Sequence, residues 1–253
     1  MATPVTEAEP VPRETPGTRA ASDRLVARLA AQGVCVSVGT AGSLVQVLAA
    51  LANESQNLTA IRDLGDGVDR HLADSLVSLA LPEVAEARRI VDIGSGGGFP
   101  GIPLAAALPG ASVTLVESEA RKARWLQRWA GRFPNLRVVA DRSEHLAGAE
   151  RESWDLATVR AVAAPAVALE LAAPLVAPGG HLVLWRSSDG DPGVDRQAVT
   201  AAAELGWRAL GPHPVVPFPG ARRTLDRYRK DDPTPARYPR RPGMAAKRPL
   251  GAR

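Results

Sequence analysis

Cysteine is nearly absent from this sequence. Cys35 is the only one among 253 residues, so no disulfide can form within the chain and a cysteine-based zinc cluster is excluded. The four histidines are scattered without the spacing of metal ligands, and we expect no metal site. No apolar run approaches the ~18 residues that a membrane helix needs, and the N-terminus lacks an apolar signal segment. We therefore expect a cytoplasmic protein that does not span a membrane.

Lysine is also scarce, because only Lys122, Lys230 and Lys247 occur and arginine supplies nearly all of the positive charge. The net charge is +4 and the pI is about 9.8. A mildly basic surface permits a polyanionic partner such as RNA without requiring one. The planar guanidinium of arginine suits the recognition of phosphate and guanine, but a general bias towards arginine and alanine explains the same composition.

The chain divides into four segments. Residues 1–20 are rich in proline, glutamate and threonine and are predicted to be disordered. Residues 21–84 carry apolar side chains at helical spacing, which predicts a helical N-terminal part whose first helix starts at the N-cap Ser22. From 85 to 231, short β-type runs alternate with helical ones, which predicts a mostly parallel, Rossmann-like α/β sheet with helices on both faces. Residues 232–253 are basic and proline-rich and are predicted to be a flexible tail, either a solvated terminus or a non-specific contact with nucleic-acid phosphates.

A glycine-rich loop, DIGSGGGFPG (Asp92–Gly101), follows the first predicted strand and opens a helix. Open α/β sheets bind ligands at such turns, and three of the glycines fit the dinucleotide pattern G-x-G-x-x-G, a weak signal by itself. Pro100 and Pro103 have no N–H group, and a pyrophosphate needs such donors at the start of the helix. The loop therefore argues against a dinucleotide, and a nicotinamide-dependent oxidoreductase is the less favoured alternative.

S-adenosylmethionine suits this loop better because it carries an ammonium and a sulfonium but no phosphate. Asp92 is predicted to lie beside the cationic methionine end, where the glycines permit close approach of the backbone. Glu117 ends the second predicted strand. It follows the glycine loop by roughly 20 residues, the spacing at which an acidic residue binds ribose hydroxyls in such folds. The ribose contact is common to both cofactor classes, so Asp92 and the prolines carry the distinction.

The segment after the fourth predicted strand, DLATVRAVAAP (Asp155–Pro165), limits the methyl acceptor. It lacks the Asn/Asp-Pro-Pro-aromatic motif of enzymes that methylate exocyclic amines, and it lacks a cysteine for covalent attack on a pyrimidine. A nucleophile that needs no activation remains, such as a ring nitrogen with a free lone pair, and guanine N7 is one. Such an enzyme would act by positioning and electrostatics.

Between residues 57 and 250 the chain resembles the bacterial small-subunit ribosomal RNA guanine-N7 methyltransferases of the glucose-inhibited-division B (RsmG) type. The resemblance implies a class I methyltransferase fold, S-adenosylmethionine as cofactor, and guanine 527 in the decoding-region hairpin of 16S rRNA as target. It also implies the 30S subunit as partner, and we expect a monomer. The motifs that carry it, in the family's order, are NLTAIRD, RHLADSL, VDIGSGGGFPGIPLA, VTLVES, RKARWL, DRSEHL, RAVA, PGG and TPARYPRRPGMAAKRPL.

The resemblance also implies individual roles around the cofactor. Gly94 and Phe99 of the glycine loop are similar to family residues that contact the cofactor, and Gly96 of the same loop is a further candidate for cofactor binding. Ser143 and Glu144, in DRSEHL, are similar to residues on the adenine side.

Further roles concern the substrate. Arg160 of RAVA is similar to a family residue at the cofactor and guanine site, and the alternative is a surface arginine paired with a nearby acid. Arg70, His71 and Asp74 of RHLADS resemble a motif near the active cleft, where Arg70 and His71 are expected to contact RNA rather than to perform catalysis. Arg186 stands where the family usually has a lysine, and it is expected to contact RNA.

The chain departs from the family pattern in other places. The tryptophan that often precedes NLT is absent, and Asp226 and Arg227 interrupt the apolar pattern of the final predicted strand, so its sequence signal is weak. The replaced lysine and the basic tail leave a second function open, a non-catalytic rRNA-binding ribosome-assembly factor that kept the fold.

Overall fold

The computed structural model describes residues 15–54, 58–187 and 195–252. Its N-terminal part is helical, as predicted. A π-helical segment spans Val68–Ala73 and a 3-10 segment spans Val77–Ala80. The α-helices of this part are α1 (Pro16–Ala30), α2 (Val38–Ala52), α3 (Leu64–Gly67), α4 (Asp74–Leu76) and α5 (Pro82–Ala85).

The start of α1 corrects the expected boundary of the disordered lead. Thr15 is the N-cap and forms a capping box with Thr18, and Pro16 occupies the first turn, where its missing N–H group costs no hydrogen bond. Ser22, the predicted N-cap, lies buried inside the helix and donates to the Thr18 carbonyl at 2.9 Å. Residues 16–20 are therefore helical, and the rest of the lead, residues 1–14, lies outside the described residues.

A seven-stranded sheet with the order β3-β2-β1-β4-β5-β7-β6 forms the rest of the fold. Strands β1 to β5 are parallel, and β7 pairs antiparallel with both β5 and β6. The strands are β1 (Arg89–Ile93), β2 (Ser112–Val116), β3 (Leu136–Val139), β4 (Trp154–Arg160), β5 (Val176–Ser187), β6 (Trp207–Val215) and β7 (Arg223–Lys230). The helices that follow β1 are α6 (Gly101–Ala107), α7 (Ala120–Ala130), α8 (Ser143–Ala149), α9 (Pro165–Ala172), α10 (Arg196–Leu205) and α11 (Met244–Lys247).

Each face of the sheet is covered by its own apolar cluster, as the alternation of β-type and helical runs predicted. The N-terminal helices share one cluster with α6 and α7, through residues such as Leu44, Leu72 and Trp125. Helices α8, α9 and α10 cover the other face, through residues such as Leu169 and Leu205. The N-terminal helices are thus part of the main core and fix the position of their polar residues relative to the strand ends.

The predicted final strand is confirmed as β7, even though two charged residues made it only a weak expectation from the sequence. It pairs with β5 over seven residues, from Ser187–Arg223 to His181–Arg229. The two charged residues have partners: Asp226 accepts from Arg186 on β5 at 3.0 Å, and Arg227 pairs with Glu83. Charged side chains do not disrupt a strand when the neighbouring elements offer opposite charges across it.

The C-terminal segment is also ordered, which corrects the predicted flexible tail over residues 232–252. The Arg151 guanidinium donates to the carbonyl groups of Thr234 and Tyr238, both at 2.6 Å. Arg240 forms a two-point ion pair with Glu170 of α9, whose side chain is almost fully buried. The basic residues that suggested a phosphate-binding tail are thus partly used to hold the segment on the protein body.

Gly101, at the start of α6, shows how closely the glycine-loop helix packs on the sheet. A Cβ atom there would lie 2.1 Å from Leu115 Cδ2 and 2.8 Å from Asp92 Oδ2. We expect Gly101→Ala to lower the free energy of unfolding by roughly 1–3 kcal/mol, as overpacking does. Urea denaturation measures the change. The matched control is Gly131→Ala, where a Cβ would have no atom within 4 Å and the change should stay within about 0.5 kcal/mol. Equal losses in the two variants would contradict the packing argument.

Candidate functional site

A cleft runs over the carboxyl ends of the parallel strands, where open α/β sheets place their ligands. It consists of two adjoining cavities of about 420 Å³ and 220 Å³. Gly94, Ser118 and Val162 line both, so the cavities form one continuous groove from the N-terminal helices to α8. Together they fall within the range of small-molecule sites, roughly 300–1,000 Å³.

The glycine loop forms the floor of the groove. Its backbone adopts conformations with positive φ, which glycine tolerates best. Gly94, Gly96 and Gly98 have φ angles of 69°, 56° and 102°. A Cβ on Gly94 would lie 2.5 Å from Val162 Cγ2, and one on Gly96 would meet only the Gly94 carbonyl, at 3.9 Å. Gly94 thus permits contact between the loops after β1 and β4, and Gly96 leaves its side of the backbone open.

Asp92 does not line the groove, and its predicted contact with the methionine end of the cofactor is corrected. Its side chain is 1% exposed; Oδ1 accepts from the Thr158 hydroxyl at 2.9 Å and Oδ2 accepts from the Gly101 amide at 3.2 Å. Burial raises the pKa of Asp92 to about 6, against the opposing effect of the Thr158 hydrogen bond. Asp92 is therefore a positioning residue that joins β1, β4 and the first turn of α6.

Glu117 lies where the sequence predicted, at the end of β2 on the wall of the larger cavity. Its carboxylate is tied at both oxygens: Oε2 accepts from the Gly96 amide at 3.0 Å, and Oε1 accepts from the Glu119 amide at 2.8 Å. These bonds fix the side chain and the glycine loop relative to each other. A carboxylate has about four lone-pair sites, so acceptor capacity remains for hydroxyl groups.

An aromatic and cationic stack closes the other side of the larger cavity. The rings of His71 and Phe99 are parallel within 10°, with their centroids 4.6 Å apart. The Arg160 guanidinium carbon lies 5.6 Å from the Phe99 centroid, within cation–π range. All three side chains line the cavity together with Thr59, whose hydroxyl is 3.0 Å from His71 Nε2. The predicted residues Phe99, His71 and Arg160 are thus brought together from three separate elements.

Arg160 combines both predicted possibilities, since it is paired with an acid and also lines the groove. Its Nη1 atom donates to Asp74 Oδ2 at 3.0 Å and lies 3.3 Å from the Arg70 carbonyl. The other Asp74 oxygen accepts from Arg223 Nε at 3.0 Å. Burial lowers the pKa of Arg160 and Asp74 opposes that effect, so the guanidinium remains protonated. The ion pair is buried, because the Arg160 and Asp74 side chains are 15% and 6% exposed.

His71 is neutral at physiological pH. Burial is the main reason that its pKa falls to about 4, and the charge of Arg160 lowers it further. Its Nδ1 atom is buried without a hydrogen-bond partner among the described residues. A base this weak, stacked on Phe99, is suited to packing against a ligand rather than to accepting a proton.

The smaller cavity lies beyond β3 and holds the predicted adenine-side residues. Ser143 and Glu144 line it at the start of α8, and Glu144 Oε1 accepts from the Gly243 amide at 3.0 Å. Ala245 and Ala246 of the C-terminal segment line the same cavity. Sequence reasoning missed this use of the segment because composition alone indicated a flexible tail.

The two remaining predicted RNA contacts lie beside the groove. Arg70 is exposed and is absent from the groove lining; only its carbonyl group meets Arg160. Arg186 lines a third cavity of about 280 Å³ with Trp185 and Ser187, and this cavity shares Ala161 and Ala163 with the walls of the groove.

Lys122 also lines the groove, and sequence reasoning did not predict it there. It lines the larger cavity and pairs with Glu119 at 2.8 Å. Its motif RKARWL gave a signal, but the basic face of this helix is typical of a solvated surface.

In the described part of the chain, no group of three or more histidine, cysteine, aspartate or glutamate side chains could hold a metal ion. Within the same residues, no helix has the length and apolar character needed to cross a membrane.

The backbone N–H groups at the start of α6 distinguish between the two cofactor classes that the sequence left open, dinucleotides and S-adenosylmethionine. Pro100 and Pro103 supply no N–H group, the Gly101 amide donates to Asp92, and the Ile102 amide donates to a carbonyl of the loop at 2.7 Å. The first turn therefore has no free donor for a pyrophosphate. Glu117 and Glu144 also line the groove, but ribose hydroxyls and an adenine amine occur in both cofactor classes, so the missing donors of the first turn carry the distinction.

The chain matches the family model described as rRNA small subunit methyltransferase G over residues 40–199. It is similar to the ribosomal RNA small subunit methyltransferase G of Roseiflexus castenholzii, with 42% identity over 78% of this chain and 86% of that protein. The protein of the same name from Lacticaseibacillus paracasei is 38% identical over 79% of this chain and 85% of that protein. Among solved structures, the 16S rRNA (adenine(1408)-N(1))-methyltransferase from Catenulisporales acidiphilia is 20% identical, with a TM-score of 0.48 over 60% of this chain and 91% of that chain.

The burial of His71 makes the stability of the protein depend on pH. Because its folded pKa of about 4 lies below the ordinary 6.5, its contribution to stability is full above pH 6.5 and is lost as the pH falls towards 4, by at most about 1.4 kcal/mol per pH unit. We expect His71→Asn to destabilise the protein less at pH 4.5 than at pH 7.5, as measured by urea unfolding at each pH. A loss that is independent of pH, or larger at pH 4.5, would contradict a buried neutral imidazole.

Proposed function

Since this chain belongs to the rRNA small subunit methyltransferase G family, it is an S-adenosylmethionine-dependent methyltransferase of small-subunit rRNA, and we propose that its acceptor is N7 of guanine 527 in 16S rRNA. The expected class I methyltransferase fold is confirmed by the strand order and the family. The observation that carries the proposal is the position of Arg160, at the end of β4, on the wall of the groove and in a buried ion pair with Asp74.

The proposed cofactor position follows the groove. The methionine end lies in the larger cavity over Gly94 and Gly96, and the ribose hydroxyls bind Glu117. The adenine lies in the smaller cavity beside Ser143 and Glu144. Two backbone amides hold the Glu117 carboxylate in place, so its orientation is fixed before a ligand binds, which lowers the cost of binding.

The reaction needs positioning more than proton transfer. S-adenosylmethionine supplies an electrophilic methyl group on a sulfonium, and guanine N7 has a free lone pair, so no proton has to be removed before transfer. Arg160 and the stacked rings of His71 and Phe99 form one side of the larger cavity. We propose that they hold the guanine, with an Arg160 N–H donating to guanine O6 while N7 remains free.

The ion pair with Asp74 has a role in this arrangement. Methylation at N7 moves a positive charge onto the guanine, and an isolated guanidinium nearby would oppose that change. Asp74 accepts from Arg160 at 3.0 Å and offsets part of its charge where burial keeps water from screening it; the rest of the carboxylate's charge is shared with Arg223. Arg160 can therefore donate hydrogen bonds at a smaller electrostatic cost.

The RNA outside the groove is proposed to contact Arg70 and Arg186. Arg70 is exposed next to the Arg160 site, and Arg186 lies in the cavity that shares walls with the groove. The remaining finer proposals are that the protein acts as a monomer, without a metal, on the 30S subunit or its rRNA in the cytoplasm. A non-catalytic assembly factor with the same fold would bind the subunit without turnover, so transfer of labelled methyl groups distinguishes the two functions.

Arg160 and Arg223 give a matched pair of variants, because each donates to a different oxygen of Asp74 and only Arg160 lines the groove. We expect Arg160→Ala to lower kcat/KM for methyl transfer to 16S rRNA or 30S subunits by about 100-fold or more, in the range of a lost transition-state donor. Arg223→Ala should change it by less than about fivefold. Tritium transfer from S-adenosylmethionine, followed by mapping of N7-methylguanine in the rRNA, measures both.

Equal losses in the two variants, matched by equal losses of stability, would assign Arg160 to folding alone. If the unaltered protein transfers no methyl group to unmodified 16S rRNA or 30S subunits, the proposed function is wrong.

A further inference from the structure

The C-terminal segment lies directly over the smaller cavity. Gly243, Ala245 and Ala246 line it opposite the start of α8. Ala245 is 4% exposed, whereas Ala246 is exposed at the protein surface. The segment therefore has one side against the protein body and one at the mouth of the cavity.

The segment is held in this position by specific polar contacts. Arg240 pairs with Glu170, which is 2% exposed, and the same guanidinium donates to the Arg248 carbonyl at 2.9 Å. Tyr238 is 3% exposed, and its hydroxyl donates to Glu204 of α10. Residues 240–248 thus form a loop closed by Arg240 and anchored to α9, the helix that lies beside the cavity.

One contact links the segment to the predicted adenine ligand. Gly243 has a φ of 80°, a conformation that favours glycine, and its amide donates to Glu144 Oε1 at 3.0 Å. The other carboxylate oxygen lies 3.3 Å from the Ser143 hydroxyl. The Glu144 carboxylate is therefore held by the segment on one side and by its own helix on the other, with lone pairs left for an amine donor.

We propose that residues 240–248 form the outer wall of the adenosine half of the cofactor site and position Glu144 for the adenine. The inference rests on the proposed cofactor, because it assigns the smaller cavity to adenine. Binding and ordering are reciprocal: a ligand that packs on the segment stabilises its docked position, and a docked segment strengthens binding. A tail that only contacted RNA phosphates would leave cofactor affinity unchanged.

Two exposed alanines near the end of the chain provide the test, one within residues 240–248 and one beyond them. Ala246→Trp places a large side chain at the mouth of the smaller cavity, and Ala252→Trp places the same side chain outside the cavity lining. Isothermal titration calorimetry with S-adenosylmethionine should show a Kd at least tenfold higher for Ala246→Trp and a Kd within twofold of the unaltered protein for Ala252→Trp. The factor should be the same with 5′-deoxy-5′-methylthioadenosine, which lacks the amino-acid end.

Hydrogen exchange supplies the reciprocal measurement. Adding S-adenosylmethionine to the unaltered protein should slow exchange of the amides in residues 243–248 by at least fivefold. A second variant, Glu170→Gln, removes the charge that holds Arg240 without touching the cavity, and it should speed exchange of these amides and raise the Kd for S-adenosylmethionine by at least threefold.

Unchanged affinity in Ala246→Trp, or unchanged exchange of residues 243–248 on cofactor binding, would overturn the inference. The proposed function would stand in that case, because methyl transfer to rRNA is measured separately. If the unaltered protein binds no S-adenosylmethionine, both the inference and the proposed function fail.

Discussion

The buried carboxylate of Asp74 connects the N-terminal helices to the strand ends that form the site. It accepts hydrogen bonds from Arg160 at the end of β4 and from Arg223 at the start of β7, and its backbone carbonyl accepts from the Trp185 indole on β5 at 2.8 Å. A buried charge is tolerated only when it is paired and hydrogen-bonded. The pairing fixes Arg160 beside Phe99, so one interaction sets both the packing of the helices on the sheet and the cation of the groove.

A second buried carboxylate, Asp92, fixes the position of the glycine loop, as Asp74 fixes the position of Arg160. It accepts hydrogen bonds from the Gly101 amide and the Thr158 hydroxyl. The loop is therefore held in place while the Asp92 carboxylate stays buried behind it. The groove thus has carboxylates at Glu117 and Glu144, which we propose as the cofactor acceptors, and at Arg160 a guanidinium paired with Asp74. This combination is suited to holding a cationic cofactor against a neutral base, and neither His71, whose pKa is lowered to about 4, nor the protonated Arg160 is suited to accepting a proton from it.

Much of this could be predicted from the sequence, because local patterns determine local structure. The alternating runs predicted the sheet and its helices, and the acid after β2 predicted Glu117 on the groove wall. The errors came from contacts between distant residues. A carboxylate in a strand-end motif gives no sign of its burial, so Asp92 was placed at the ligand instead of behind the loop. The partners of Asp226, Arg227 and Arg240 lie 40 or more residues away along the chain, so composition could not show that these charges are neutralised.

We propose that the protein methylates an rRNA guanine by positioning and charge compensation, without a general base. The most direct test is the rate of single-turnover methyl transfer to 16S rRNA between pH 6.5 and 8.5. Neither His71, with a pKa of about 4, nor the protonated Arg160 changes charge in that range. We therefore expect the rate to vary by less than about twofold across this range. A rate that rises tenfold per pH unit at the low end, as deprotonation of a catalytic base requires, would contradict it.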